Sequence, residues 1–174
     1  MLRGEYVILR APEISDALII CAWQSDREVT KFLPFVHPIS QTRQCSIIKQ
    51  ASLDRNNITL IIETEDEIPI GLCSLKNIDW INSTAEISVI IYAKSCWGRE
   101  YGYDAVKTLT NFGMFEINLF TIYANIIEDN ERAIKCFQKV GYEIEGVLYD
   151  RLFKEGKPKN LVSMSISKGR KLEG

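Results

Sequence analysis

The sequence contains one histidine, His37, on a stretch bounded by Pro34 and Pro38. A Ser-His-Asp or Cys-His relay would have to run through it, and no G-x-S-x-G turn presents a serine nucleophile. Loop packing is the better reading of His37. Cys21, Cys45, Cys73, Cys96 and Cys136 are odd in number and scattered, without C-x-x-C or metal-ligand spacing. They read as reduced thiols packed as small apolar residues, with no metal. No apolar run is long enough to span a bilayer, and Arg3, Glu5 and Arg10 interrupt any signal-peptide core near the start. Neither charge sign dominates: 21 Lys and Arg stand against 23 Asp and Glu, for a net charge of -2. That leaves no basic field for nucleic acid and no acidic solvating tail. Repeats, low-complexity segments and composition shifts are also missing. The expectation is a single domain over 1–174, cytoplasmic, with no membrane or nucleic-acid partner.

With 46% hydrophobic residues the chain can bury a substantial core. Residues 6–11 read as a strand. Pro12, Glu13 and Asp16 then mark a helix start, with Ala17, Ile20 and Cys21 on its apolar face. Residues 26–32 suggest a short helix or turn, 33–38 a loop, and 41–53 a helix capped by Ser40. Strands follow over 58–64, 68–76 and 84–92, a meander with Gly71 at a bulge. A helix over 99–115, a central strand over 118–127 and a helix over 131–140 ended by Gly141 come next. In that last helix Arg132, Lys135 and Lys139 lie away from the apolar face. Residues 142–153 and 161–166 form a hairpin across the turn EGKPKN, and 168–174 is a frayed tail. The β-α-β crossover from Thr84 to Ile127 implies two parallel strands. A helix starting between them would open a cleft at their carboxyl ends.

The segment Glu86 to Ala105 is the centre of this reading. An apolar strand runs into Trp97-Gly98-Arg99-Glu100-Tyr101-Gly102, which opens a helix. Backbone N–H groups in such a first turn suit a phosphate or pyrophosphate. A tight strand-to-helix turn with no ligand accounts for the same glycines.

Further motifs join this one. Leu9-Arg10 precedes Ile14 and Asp16, and Ile70-Gly71-Leu72 precedes Ala85-Glu86-Ile87. Asn130-Glu131-Arg132-Ala133 precedes Phe137 and Gly141-Tyr142. With these, the chain from about Ile8 to Ile166 resembles the GNAT N-acetyltransferases, in the branch of the RimJ/RimL-like ribosomal-protein alanine and spermidine acetyltransferases. The resemblance implies an α/β (α+β) fold. Its mixed, mostly antiparallel twisted sheet has about seven strands, helices on both faces and a splayed parallel pair forming the cofactor cleft. It also implies direct transfer of an acetyl group from acetyl-CoA to a primary amine. The acceptor is open between a protein N-terminus, a polyamine, an amino sugar and an aminoglycoside-like amine. A homodimer is common among such relatives. The alternative is a GNAT-fold module that binds CoA or a metabolite without catalysis.

By the same resemblance, backbone groups of Val89, Ile90 and Ile91 pair with the pantetheine arm. Trp97, Gly98, Arg99, Glu100, Tyr101 and Gly102 hold the pyrophosphate, and Asn130, Arg132, Ala133 and Phe137 complete the cofactor site. Two positions depart from the family pattern. Glu100 replaces the first loop glycine and brings a charge toward the pyrophosphate. Phe137 replaces a tyrosine that supplies a proton, and phenylalanine has none to give. Tyr123, Tyr142 and Tyr149 remain as donors.

Glu86 shares a strand face with Ser88 and Ile90 and is the general-base candidate. Otherwise it lies at the strand's solvated start or pairs with a lysine. Asn130 is a helix cap as well as a cofactor contact, and Arg132 meets a CoA phosphate or water. Asn125 lines the cleft or is a satisfied amide in the sheet. Trp23, Phe32, Phe35 and His37 wall an entrance, with Asp26 and Glu28 drawing a cation, or they are core and ordinary surface.

Overall fold

The computed structural model describes residues 1–33 and 39–171, so Phe35 and His37 lie outside the described residues. Eight strands form one sheet: β1 (Leu2–Arg3), β2 (Val7–Arg10), β3 (Ile58–Thr64), β4 (Pro69–Asp79), β5 (Thr84–Ile91), β6 (Thr121–Ile127), β7 (Glu143–Lys154) and β8 (Lys157–Ser167). Their order across the sheet is β1-β2-β3-β4-β5-β6-β8-β7. Every neighbouring pair is antiparallel except β5 and β6. Five α-helices accompany them among the described residues: α1 (Ala17–Gln24), α2 (Arg27–Thr30), α3 (Gln41–Ala51), α4 (Tyr101–Asn111) and α5 (Glu131–Val140). None is long and apolar enough to cross a membrane.

The two faces of the sheet carry different helices. Ala105, Val106 and Leu109 of α4 and Phe137 of α5 pack with Leu75, Ala85, Ile87, Ile122 and Ala124 in the main core. Ala17 and Ile20 of α1 and Ile48 of α3 cover Ile61 on the opposite face. Burying each Val, Leu, Ile or Phe among them contributes roughly 1.5–3 kcal/mol. The buried Asp104 carboxylate accepts from the amides of Tyr6 at 2.7 Å and Val7 at 3.0 Å, tying α4 to the start of β2.

The structure departs from expectation at several boundaries. Among the described residues the strand count is eight, against an expected seven or so, because Leu2 and Arg3 pair with Leu9 and Ile8. The fourth helix is shorter than 99–115: it starts at Tyr101 and gives way to a wide π turn over Phe112–Glu116. The strand after it begins at Thr121, not at residue 118, and Asn118 has a positive φ. The last hairpin turns at Glu155 and Gly156, with φ of 52° and 74°, instead of across all of EGKPKN. Pro158 is tolerated there because β8 has only β7 beside it; pairing with β6 begins at Leu161. Part of the tail is ordered, since Lys168 to Lys171 makes a 3-10 turn and the Lys168 amide bonds to the Phe120 carbonyl.

The central feature is a fork. β5 pairs with β6 at Thr84–Thr121, Ala85–Ile122 and Glu86–Tyr123. Beyond that point β5 continues to Ile91 and β6 to Ile127 with no ladder between them. The expected splayed parallel pair is present, and its open end faces the start of α4.

Candidate active site

The exposed edge of β5 is set by strand alternation. The Tyr92 amide donates to the Ile70 carbonyl at 2.8 Å, so Tyr92 faces β4. Alternate residues follow, which turns the N–H and C=O of Ile90 toward Leu72 of β4 and those of Val89 and Ile91 into the gap. The Ile91 carbonyl is already bonded there by the Trp97 indole N–H at 2.8 Å. Val89 therefore presents both its backbone groups to the gap, and Ile91 its N–H. The backbone groups of Ile90 are turned away from the gap, toward β4.

The loop after β5 carries a run of backbone donors. The Trp97 amide bonds to the Lys94 carbonyl, and the next turn bond runs from the Asp104 amide to the Glu100 carbonyl. Among the described residues, nothing accepts from the amides of Gly98, Arg99, Glu100, Tyr101, Gly102 and Tyr103. Six successive free donors at a helix start fit a diphosphate. Gly98 has φ +74° with nothing within 4 Å of where a Cβ would stand, so its backbone conformation is what calls for glycine. Glu100 has φ -69° and ψ -4°, a conformation that accepts any side chain.

The charge of Glu100 does not stand alone. Lys139 of α5 donates to its carboxylate at 2.5 Å and lies 4.3 Å over the Tyr103 ring. The hydrogen bond to Glu100 holds the Lys139 ammonium above its ordinary range. Nearer the start of α5, the Arg132 guanidinium sits 4.6 Å over the Trp97 ring. Sequence reading placed Arg132 and Lys139 away from the packed face; the structure puts both against the loop, because α5 lies beside α4. Asn130 caps α5, its Oδ1 accepting from the Ala133 amide at 3.3 Å. Ala133 packs against the core, and Phe137 lies within it, edge-on to Tyr142 at 5.0 Å.

At the fork, Glu86, Tyr123 and Asn125 share a half-buried face. The Asn125 and Asn77 side-chain amides both approach the Glu86 carboxylate at 3.5 Å. Burial raises the Tyr123 phenol above its ordinary range, and the Glu86 charge adds to this. Tyr142 is occupied elsewhere: its hydroxyl is 2.8 Å from Thr110 Oγ1, and burial pushes it far up. Tyr149 is 72% exposed on β7, one position beyond the Leu148–Leu161 pair at which β6 ends. At the end of β5, Trp23 stacks on Tyr92 at 5.1 Å, and Lys94 bonds Asp26 at 2.8 Å and Glu28 at 2.9 Å. Those two acids hold an internal cation, a pairing that sequence spacing did not show.

Residues 7–143 match the family model described as an acetyltransferase (GNAT) domain. The chain belongs to the GNAT acetyltransferase family. It is 34% identical over 155 residues to an uncharacterized N-acetyltransferase, p20, of Bacillus licheniformis, covering 86% of this chain and 85% of that one. It is 28% identical over 113 residues to the spermidine N(1)-acetyltransferase of Escherichia coli K12, covering 65% of this chain and 60% of the relative. The fold matches the crystal structure of a Vibrio cholerae spermidine N-acetyltransferase in complex with CoA and spermine. That match has a TM-score of 0.87 at 23% identity over 96% of this chain and 98% of the other. This GNAT protein is an N-acetyltransferase.

Proposed function

We propose that the protein moves the acetyl group of acetyl-CoA directly to a small primary amine, with a polyamine the first acceptor class to test. One observation carries this reading: the fork past Glu86–Tyr123 opens onto the unbonded amides of Gly98 to Tyr103. The residues present fit the cofactor. Val89 and the Ile91 N–H offer a strand edge to its amide-bearing arm, and the loop amides offer donors to its diphosphate. Arg132 meets that loop from α5, and Asn130 and Ala133 stand on the same helix start. Bound there, the cofactor supplies an activated thioester.

The chain's own groups then divide the proton work. Glu86, approached by Asn77 and Asn125, takes the proton that the attacking ammonium must lose, directly or through a water. The Val89 N–H is the backbone donor placed to stabilise negative charge on a carbonyl oxygen in the gap. Tyr123 is the acid for the departing thiolate. Phe137 has no proton to give, Tyr142 is bonded to Thr110, and Tyr149 is 72% exposed. The acceptor class is supported by the Escherichia coli relative named for spermidine.

The chain acts as one domain, and two copies pair. Support comes from the outer strand β7, where Ile144, Tyr149 and Phe153 are 51%, 72% and 74% exposed. Light scattering should give twice the 19.9 kDa chain mass.

The deciding experiment is thiol release from acetyl-CoA against spermidine, a simple alkylamine, glucosamine, an aminoglycoside and an alanyl peptide. Release with the slender amines is expected. Tight CoA binding with no release on any amine would favour the non-catalytic module, and no CoA binding would remove both readings.

A further inference from the structure

The fork divides the molecule into two halves. One holds β1 to β5 with α1 to α3, and the other holds β6, β8, β7 and α5. The three pairs ending at Glu86–Tyr123 join them at the closed end. At the open end, on the α4–α5 face, Lys139–Glu100 and Arg132–Trp97 tie the second half to the loop. On the other face a third tie exists. Lys154, the last residue of β7, sends its ammonium to the carbonyls of Thr30 at 2.7 Å and Leu33 at 2.5 Å, 121 residues away at the nearer one in sequence. The β7–β8 tip projects past the end of β6, since β6 pairing stops at Ile127–Leu161 while the hairpin runs on to Lys154–Lys157. The α2 segment is in turn fastened to the far side of the gap by Lys94, which follows β5. The Lys154 bonds thus span from the β8 side of the mouth to the β5 side.

We propose that Lys154 is a specificity-determining strap: by holding the hairpin tip to the end of α2, it narrows the acceptor side of the gap and admits slender amines over bulky ones. This rests on the acetyl-transfer reading of the gap. Lys154 is a positioning residue, with no contact to the reacting atoms. Desolvation lowers the affinity of its amine for a proton, which agrees with a side chain held in the contact rather than in water. A guanidinium can make the same two carbonyl bonds, whereas a methyl cannot.

Two readouts test it on Lys154→Ala and Lys154→Arg. The first is amide hydrogen exchange in the unliganded protein: Lys154→Ala should quicken exchange in 30–33 and 150–157 by about tenfold or more, with Lys154→Arg near wild type. The second compares kcat/KM for an alanyl peptide with that for spermidine. The ratio should rise about tenfold in Lys154→Ala, through KM for the peptide, and return toward wild type in Lys154→Arg. An equal change for both amines, or no change in exchange, would overturn the strap. Failure of the wild type to acetylate any amine would overturn the acetyl-transfer reading instead, while the exchange comparison would still decide whether Lys154 holds the two halves together.

Discussion

Glu86 and Tyr123 face each other in the last pair that joins β5 to β6, and past them the strands part. A carboxylate and a phenol thus stand at the apex of the gap, on the same face of the sheet. Their adjacency is a consequence of the parallel crossover, which brings β6 alongside β5.

Replacing Glu86 by Gln keeps the shape and removes the base. Turnover should fall about 10²- to 10⁴-fold, while the Kd for CoA changes less than about twofold. Steady-state kinetics and calorimetry check this, and an unchanged kcat would take Glu86 out of the mechanism.

Tyr123→Phe should lower kcat by about tenfold to a hundredfold. The phenol is the active form when protonated, and burial with the Glu86 charge raises its pKa above 10.0. Activity carried by that proton is therefore kept below pH 10 and lost only as pH rises beyond the raised value. The variant should lack this alkaline limb. Tyr142→Phe should leave kcat alone and cost about 1–3 kcal/mol of stability, since Thr110 Oγ1 loses its buried partner.

Glu100 and Lys139 should act in opposite directions on CoA affinity. Glu100→Gln frees the Lys139 charge beside the loop amides and tightens binding about two- to fivefold; Lys139→Ala leaves Glu100 unopposed and weakens it by a similar factor. Both effects should shrink in high salt. Titration at two ionic strengths measures them, and the same sign for both variants would contradict the pairing as described.

Asp16 offers a stability test. Arg10 donates to both its oxygens, at 2.7 and 2.9 Å, and also to Glu63 at 2.7 Å. The Arg10 hydrogen bonds hold the Asp16 carboxyl below its ordinary 3.8. That stabilisation is fully present above about pH 4 and is lost as pH falls through the lowered value. Asp16→Asn should cost about 1–3 kcal/mol at neutral pH, since Arg10 keeps Glu63, and flatten the acid dependence of stability in that window, measured by urea unfolding.

The turn into α4 was legible because its signal is local: Gly98 supplies a positive φ, and the helix start follows within three residues. The fork was legible from element order alone. The Arg10–Asp16 pair hides inside the family motif, where spacing shows the residues but not that they bond. Lys139 could not be placed from its helix, since what it meets depends on α5 lying beside α4. Lys154 carries no local signal, because its partners are main-chain carbonyls that any sequence supplies. The hairpin turn was misplaced for a related reason: Pro158 and Asn160 look like turn residues until the strand is seen to have a single neighbour there.

Amide hydrogen exchange with and without CoA tests the central claim most directly. The account predicts new protection at Val89, Ile91 and Gly98 to Tyr103, with Thr84 to Glu86 unchanged. Protection confined to other parts of the sheet, with those amides exchanging as before, would contradict it.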